Sequence, residues 1–289
     1  MKNVSLSWIF VLVGLPLLGA CGADPEEEAS SDLGTESEAL TVSTESALKT
    51  AIKSAKAGST ITVTGTIFLT STLQLLNSGT SSSKINFTGG TLDCSKMTSG
   101  WCVKCNGSYW NITNMTIRNS PDSGMVFQSG GFNYVNNVNT VSNGDTGLQV
   151  YNGAHDVSIN NSYSAENFDK ANNGENADGF TCKLSGGKNN KFAGCRANHN
   201  SDDGWDLYGQ PYTVTITGCT ATNNGYGASG DGNGFKLGSS GQSVPHTVTN
   251  NVATSNKGCG YDGNGNKGHI TTSGSTGSGN AKGTFCRIF

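Results

Sequence analysis

Five charged residues in the second half of the chain have the types and spacing of a metal-assisted reaction centre. Four are carboxylates, Asp178, Asp202, Asp203 and Asp206, and the fifth is Lys236. Several carboxylates held within a few ångströms repel one another strongly unless a cation neutralises them. Calcium suits that task because it takes about six to eight oxygen ligands, whereas magnesium demands a tighter geometry. These residues therefore predict a Ca²⁺ site beside an amine that could act as a base.

The charged residues stand in or beside three of six short phrases that share a central glycine. The phrases are Ser123-Gly124-Met125, Thr146-Gly147-Leu148, Asp178-Gly179-Phe180, Asp203-Gly204-Trp205, Asn233-Gly234-Phe235 and Cys259-Gly260-Tyr261. Asp-Gly is also a common turn dipeptide, so a turn explains either Asp-Gly pair alone equally well. A turn does not explain why Asp202, Asp203 and Asp206 cluster one repeat away from Asp178.

Lys236 allows an ordinary interpretation and a catalytic one. An outward lysine is usually solvated, and this one could form an ion pair with Asp206 or Asp262. To act as a base the lysine must lose its proton, and a nearby divalent cation would lower its pKa. Because the carboxylates act in the opposite direction, we expect metal occupancy to decide whether Lys236 can act.

A second set of phrases recurs upstream of the glycine phrases. Its members are Ile112–Ile117, Val135–Thr140, Ile159–Ser164, Phe192–Ala197, Ile216–Ala221 and Val248–Ala253. Two markers that share a period of about two dozen residues indicate a stacked repeat architecture. Each repeat holds at least two strand-like stretches and no helical pattern, which predicts an all-β fold, the parallel β-helix.

Alternation along each glycine phrase predicts which side chains point outward. The residues one and three positions after the glycine are mostly large and apolar, so both columns should face the core. The column between them should project outward and consists of Val126, Gln149, Thr181, Asp206, Lys236 and Asp262. We therefore expect Asp206 and Lys236 on one face of neighbouring coils, and Asp178 beside Asp203.

Two further columns concern asparagine and cysteine. One position of the repeat is occupied by Asn143, Asn167, Asn200, Asn224 and Asn256. We expect an asparagine ladder at a turn, because asparagine tolerates left-handed backbone and stacked amides bond to one another. Cys195 and Cys219 fall on adjacent coils, at a spacing of about 4.8 Å that permits either a disulfide or two unpaired buried thiols.

The N-terminal region carries export signals. Residues 1–20 contain Lys2 and an apolar stretch, which predicts a secretory leader. The residues around Cys21 resemble a bacterial lipobox, so either Cys21 bears a lipid anchor or a plain leader is cut nearby; the protein is then secreted or an outer-surface lipoprotein. Acidic residues 21–40 predict a flexible tether. The β-helix domain is expected over 41–289, with a short N-terminal capping helix over Ser46–Lys56.

Charge and cysteine content restrict the partners. The formal net charge is −3, and nothing favours nucleic acid, whose binders usually show a basic patch. A polyanionic ligand would therefore need a cation to mediate its binding. Of nine cysteines, eight remain without Cys21. In an exported protein these allow up to four disulfides, and their spacing lacks a convincing zinc pattern.

Three stretches of the chain resemble the family nine polysaccharide lyases, calcium-dependent pectate lyases with a right-handed parallel β-helix. They are Asn176–Phe180, Cys195–Leu207 and Gly232–Gly238. By position, the resemblance implies that the four aspartates named above ligate Ca²⁺ and that Lys236 is the Brønsted base. The family's reaction is β-elimination on polygalacturonate, in which the base removes the proton on C5. The implied partner is an acidic polysaccharide, and we expect a monomer.

Two other functions fit parts of the same pattern. A β-helix glycoside hydrolase would use paired carboxylates as acid and base. That interpretation assigns no role to Lys236 or to the metal. A non-catalytic surface protein would use calcium to bind carbohydrate. Calcium dependence and an unsaturated product distinguish the lyase from the hydrolase. Replacement of Lys236 by alanine distinguishes it from the binding protein.

Overall fold

The computed structural model describes residues 39–289 of the chain. The predicted leader 1–20, the predicted anchor at Cys21 and most of the predicted tether 21–40 lie outside the described residues. The first strand begins at Ala39, so the last two residues assigned to the tether already belong to the β-structure. Within residues 39–289, no helix has the length and apolar content that a membrane crossing needs.

One helix and 25 strands form the described part of the chain. In chain order they are β1 (Ala39–Val42), α1 (Glu45–Ser54), β2 (Thr60–Val63), β3 (Thr66–Phe68), β4 (Leu73–Leu75), β5 (Ile85–Thr88), β6 (Thr91–Asp93), β7 (Val103–Cys105), β8 (Trp110–Arg118), β9 (Met125–Phe127), β10 (Tyr134–Val141), β11 (Leu148–Val150) and β12 (Ser158–Asn160). Then come β13 (Tyr163–Ala165), β14 (Phe180–Cys182), β15 (Lys191–Ala193), β16 (Arg196–Asn198), β17 (Trp205–Asp206), β18 (Thr215–Thr217), β19 (Thr220–Thr222), β20 (Phe235–Lys236), β21 (Thr247–Thr249), β22 (Val252–Thr254), β23 (Tyr261–Asp262), β24 (Thr276–Ser278) and β25 (Phe285–Cys286).

The strands pair in parallel and form two sheets. A nine-stranded sheet runs in the order β4-β7-β9-β11-β14-β17-β20-β23-β25. A 16-stranded sheet contains the long strands β8 and β10 and continues after β10 as two rows of short strands, one starting at β12 and the other at β13. Strands between the ends of each row pair with the coils before and after them, which confirms the parallel β-helix.

The capping helix α1 packs against β1, β2 and β4. Thr44 caps its N-terminus, where the Thr44 hydroxyl accepts the N–H of Ala47 at 3.3 Å. Leu48 and Ile52 are buried on one side of the helix. The helix is confirmed with shifted bounds. It begins one residue before Ser46 and stops at Ser54, because Ala55 already has extended backbone (ψ 136°) and the chain leaves the helix before Gly58.

A column of aromatic rings runs through the core behind the nine-stranded sheet. Phe180, Trp205, Phe235 and Tyr261 are fully buried. Successive ring centroids in this column are 4.9, 4.7 and 4.9 Å apart. That spacing equals the distance of about 4.8 Å between neighbouring strands, so each ring stacks on the ring of the next coil. The predicted inward direction of this column is confirmed.

The asparagine ladder is present, but the left-handed backbone lies one residue earlier than predicted. Asn167 Nδ2 donates to Asn200 Oδ1 at 2.8 Å, and Asn200 Nδ2 donates to Asn224 Oδ1 at 2.9 Å. The residues with positive φ are those before the ladder, Ser142, Glu166, His199, Asn223 and Ser255. The side-chain amide of each ladder residue points inward. Its oxygen accepts the backbone N–H of the ladder asparagine on the previous coil.

Two disulfides occur among the described residues, fewer than the four that the cysteine count allows. They join Cys94 to Cys102 and Cys259 to Cys286. Cys195 and Cys219 are buried free thiols, and the N–H of Cys195 donates to Cys219 Sγ at 3.3 Å. The disulfide alternative for this pair is therefore wrong, because the two sulfurs are used to satisfy backbone groups.

Candidate active site

The outward column of the nine-stranded sheet brings Asp206 and Lys236 together. They are register partners in β17 and β20. Their chain neighbours Trp205 and Phe235 point into the core, so alternation along the strand directs Asp206 and Lys236 to the opposite face. Both line one groove on the outside of the β-helix. The predicted register of this pair is confirmed.

Three of the four predicted ligands form a compact cluster beside this column. Asp178 and Asp203 precede their glycines on adjacent coils, and the N–H of Asp203 donates to Asp178 Oδ1 at 3.1 Å. Carboxylate oxygens of Asp178, Asp202 and Asp203 all lie within 4.8 Å of one another. Side chains from two coils thus converge at one corner, which is the spacing that a shared divalent cation requires.

Asp206 faces the same groove but lies outside the three-carboxylate cluster. Its Oδ1 accepts the N–H of Tyr208 at 2.8 Å, and its Oδ2 accepts from Lys183 Nζ at 3.2 Å. Asp206 is therefore oriented by its own turn and by a lysine. A role as fourth ligand requires that the lysine release it.

Burial is the main electrostatic feature of the cluster. Asp178 and Asp203 are fully buried and Asp202 is 4% exposed. Desolvation raises the pKa of all three carboxyl groups, and the charges of neighbouring aspartates raise the pKa further. The nearby lysines oppose this effect only in part. The folded chain therefore holds these carboxylates at a free-energy cost that a bound cation would offset.

One atom of the cluster lacks a hydrogen-bond partner. Asp203 Oδ2 is buried and accepts no hydrogen bond from the described residues. Lys236 Nζ lies 3.5 Å from this oxygen, close enough for charge attraction but too far for a well-formed hydrogen bond. A buried oxygen of this kind needs a partner. A cation held by oxygen ligands fits the position.

Lys236 sits between two carboxylates at the rim of the groove. Its Nζ lies 2.7 Å from Asp231 Oδ2, and the Asp231 side chain is 55% exposed. Burial opposes the charge on Lys236, but Asp203 and Asp206 outweigh burial and raise its pKa. In this arrangement Lys236 is protonated, as the sequence predicts for a lysine among carboxylates without a metal.

Lys183 is a residue that the sequence analysis missed. Its Nζ donates to Asp178 Oδ2 at 2.8 Å and to Asp206 Oδ2 at 3.2 Å, and its side chain is 11% exposed. It lies two residues after Thr181 and three before Gly186. Extending the inward–outward alternation past Cys182 would have pointed to it, because Thr181 and Lys183 share the outward face of the same coil.

The groove is lined by side chains from four successive coils and has a volume of about 450 Å³. Its titratable members are mostly acidic, and burial raises the pKa of Asp145 to about 6. The lining consists of Asp145, Gln149, Glu175, Asn176, Lys183, Leu184, Asp202, Asp206, Tyr208, Asp231 and Lys236. A groove of this length and charge suits an extended acidic ligand that is bound with a cation.

Comparisons with known proteins agree with this geometry. The family model described as the Pel9A-like, right-handed β-helix region matches residues 29–287. A relative named pectate lyase L, from Paenibacillus polymyxa (strain SC2), is 38% identical over 203 residues, which cover 63% of this chain and 45% of the relative. The chain thus spans less than half the length of that relative.

Solved structures give the same family and fold. The crystal structure of pectate lyase Pel9A matches with a TM-score of 0.77 and 28% sequence identity, covering 83% of this chain and 69% of the other. A rhamnogalacturonan lyase matches with a TM-score of 0.70 and 22% identity over 78% of this chain and 67% of that one, a likeness of fold alone. The family model covers nearly the whole chain and confirms the right-handed coil. The chain belongs to the Pel9A-like right-handed β-helix family, as its resemblance to the family nine polysaccharide lyases implied.

Proposed function

We propose that the chain is a pectate lyase that cleaves polygalacturonate by calcium-assisted β-elimination. The observation that carries this proposal is the meeting of Lys236 with the three-carboxylate cluster, whose member Asp202 lines the same groove as Lys236. These groups come from three successive coils. The names of the relatives, pectate lyase L and pectate lyase Pel9A, support the same substrate.

Asp178, Asp202 and Asp203 would hold the Ca²⁺, with Asp206 as the fourth carboxylate once Lys183 releases it. The unpartnered Asp203 Oδ2 supports this assignment, since it is a buried oxygen at the centre of the cluster. When bound, the cation would supply Lewis-acid polarisation of the uronate carboxylate, which makes the proton on C5 more acidic.

Lys236 would remove the C5 proton once its own amine is neutral. In the metal-free groove the carboxylates keep it protonated. When they share their charge with a divalent cation, the pKa of Lys236 falls. Lys236 also has to leave Asp231, whose side chain is half-exposed, so that their ion pair is weak.

The proposed elimination consumes no water. Lys236 takes the proton from C5, and the electron pair of the C5–H bond forms a double bond between C4 and C5. The bond from C4 to the glycosidic oxygen breaks, and that oxygen keeps the electrons and takes up a proton. One product end is a hydroxyl, and the other is an unsaturated uronate that absorbs ultraviolet light. General base catalysis of this kind contributes about 10²–10⁴-fold to a rate.

The location and the assembly state are part of the proposal. A secreted or bacterial outer-surface location rests on the predicted leader 1–20, with the lipid anchor at Cys21 as one of its two forms. The monomer expected from the sequence remains a proposal.

Replacement of Lys236 by alanine tests the proposal. We expect Lys236→Ala to lose about 10²–10⁴-fold of the rate at which unsaturated product appears from polygalacturonate with calcium present. Substrate binding should persist, because the carboxylates that hold the cation are intact. The rate is followed by ultraviolet absorbance, and binding by retardation in gels that contain polygalacturonate.

Lys267→Ala is the matched control, because Lys267 is an exposed lysine on a later coil. It should leave both readouts unchanged. Full activity of Lys236→Ala would exclude Lys236 as the base. Binding without any unsaturated product from the wild type would favour the carbohydrate-binding protein instead.

A further inference from the structure

The outward column of the nine-stranded sheet continues beyond the groove, towards the N-terminal coils. In the outward column of the nine-stranded sheet, successive register partners are Lys104, Val126, Gln149, Thr181, Asp206 and Lys236. Lys104 therefore occupies the column of Asp206, four coils away. Since coils are about 4.8 Å apart, the two positions are separated by about 19 Å along the axis.

Trp101 occupies the position in its coil that Asp178 and Asp203 of the calcium cluster occupy in theirs. It lies two residues before β7, as Asp178 lies two residues before β14 and Asp203 two residues before β17. The columns that carry carboxylates in the groove thus carry a tryptophan and a lysine on the β7 coil. This end of the columns is cationic and aromatic instead of acidic.

Lys104 is a cation without a neutralising partner among the described residues. Its Nζ lies 5.4 Å from the centroid of the Trp101 ring, and it appears in none of the ion pairs of residues 39–289. Lys183 and Lys236, in contrast, each contact two carboxylates. Lys104 is therefore free to bind an anionic group that enters the groove.

The aromatic groups beside Lys104 are held in place. The Trp101 and Tyr151 rings meet edge to face with centroids 6.2 Å apart. Trp101 is adjacent to Cys102, which forms the disulfide with Cys94, and the Tyr151 hydroxyl accepts from Gln128 Nε2 at 2.7 Å. Preformed contact groups of this kind lose little entropy when a ligand binds.

We propose that Trp101, Lys104 and Tyr151 form a distal subsite for a uronate of the polysaccharide whose cleaved residue lies at the calcium cluster. Lys104 binds the uronate carboxylate, and the two rings contact the apolar C–H face of the sugar. A hexuronate residue advances its polymer by a distance close to one coil, so the bound uronate is about four residues from the calcium cluster. This inference rests on the proposed function.

Cleavage of oligogalacturonates of defined length tests the subsite. For octagalacturonate, Lys104→Gln and Trp101→Ala should each raise KM about fivefold, as expected for loss of a solvent-accessible ion pair or an aromatic contact. For trigalacturonate, which is too short to reach from the calcium cluster to Lys104, kcat/KM should stay at the wild-type value. Lys104→Arg should retain most of the length dependence.

Lys53→Gln is the control, because Lys53 is an exposed lysine on α1. It should behave like the wild type with both substrates. Trp101→Phe and far-ultraviolet circular dichroism separate loss of contact from loss of folding. Unchanged KM for octagalacturonate in Lys104→Gln and in folded Trp101→Ala would overturn the subsite while leaving the lyase proposal intact.

A binding measurement separates failure of the subsite from failure of the lyase proposal. Calorimetric titration of octagalacturonate and trigalacturonate into Lys236→Ala, with calcium present, needs no turnover. Adding Lys104→Gln should weaken the binding of octagalacturonate about fivefold and leave the binding of trigalacturonate unchanged. If the wild type forms no unsaturated product but Lys104→Gln still causes this length-dependent loss of affinity, the subsite is supported and the lyase proposal is rejected. Equal weakening of both oligomers would reject the subsite.

Discussion

Lys183 shares the carboxylates of Asp178 and Asp206 with any cation that binds there. Its ammonium contacts both at 2.8 and 3.2 Å in a position that is almost closed to solvent. The attraction of these carboxylates raises the pKa of Lys183 despite its burial, so it carries its charge throughout the ordinary pH range. Lys183 therefore acts as an internal counterion for the metal-free site.

Removal of this counterion should make the folded protein depend on calcium. Lys183→Met leaves buried carboxylates without a partner, which costs about 3–5 kcal/mol when a buried ion pair is broken. We expect a lower Tm for Lys183→Met without calcium. The rise in Tm on adding calcium should exceed that of the wild type, because calcium then replaces the missing charge.

Scanning calorimetry with and without calcium measures both shifts. Lys56→Met is the control, since Lys56 is exposed and far from the groove in the register of the sheet. Identical calcium-induced shifts in wild type and Lys183→Met would contradict the role of Lys183 as counterion.

The sequence predicted the site residues that occupy repeated positions of the coil. It missed the site residues that lie outside those repeated positions. Asp203 and Lys236 lie within two residues of glycines that recur in six successive coils, so their columns could be counted from the phrases. Lys183 directly follows β14, where the inward–outward alternation extended by one residue would have pointed to it. Asp231 lies in the segment before β20, where coil lengths differ and no periodic marker tells which residue reaches the groove.

At the scale of an element, the asparagine ladder sets the corner from which the carboxylates project. Asn200 stands two residues before Asp202 and is fully buried. Its Oδ1 accepts from Asn167 Nδ2, and its Nδ2 donates to Asn224 Oδ1. The ladder thus fixes the backbone of the coil that supplies two of the three clustered carboxylates.

Asn200→Ala should lower the free energy of unfolding by about 2–6 kcal/mol. It leaves one Nδ2–H and the backbone N–H of Asn167 without their acceptor, each at about 1–3 kcal/mol. Asn280→Ala is the matched control at the end of the same ladder. Asn280 is partly exposed there and accepts from Asn256 Nδ2 at 2.8 Å, so water can replace its bonds and about 1 kcal/mol is expected.

Urea unfolding followed by tryptophan fluorescence compares the two variants. Equal losses at Asn200 and Asn280 would contradict the view that buried amide contacts hold the corner.

The same elements show how far the sequence predicts the fold. The inward direction of the large apolar column and the asparagine ladder were predicted because residues of one kind recur with the period of the coil. The left-handed position was misplaced by one residue, because Ser142, Glu166 and His199 occupy it and share no side-chain type. The Cys195–Cys219 spacing fits a disulfide and a thiol pair equally, and only the sulfur–backbone hydrogen bonds of the structure distinguish them.

At the scale of the whole molecule, stability against acid depends on a buried histidine away from the groove. His246 is fully buried, and its Nδ1 accepts the N–H of Val214 at 3.1 Å. Burial lowers its pKa to about 4 from an ordinary 6.5. On an earlier coil, Asn190 is the side chain that accepts the corresponding backbone N–H, that of Val157, at 3.0 Å.

The sign of this effect follows from proton binding. Below pH 6.5 the unfolded chain protonates His246 while the folded chain does not, until the pH reaches about 4. The contribution of His246 to stability is therefore complete above pH 6.5. It is lost as the pH falls through that window, by about 3 kcal/mol in all.

His246→Asn keeps an acceptor for Val214 and removes the titrating group. The difference in unfolding free energy between wild type and His246→Asn should therefore change by about 3 kcal/mol between pH 7 and pH 4, in favour of the variant at low pH. Urea unfolding at a series of pH values measures this difference. Parallel pH profiles would contradict the assignment of an uncharged buried imidazole.

The central claim is that a lysine and a carboxylate cluster from separate coils jointly perform a calcium-dependent elimination. The most direct test follows ultraviolet absorbance of polygalacturonate with the purified wild-type protein while calcium is titrated back after chelation. We predict no increase without calcium and a rate that rises to saturation as calcium is added. Chain cleavage that continues in excess chelator, or that yields new reducing ends without absorbance, would contradict the account.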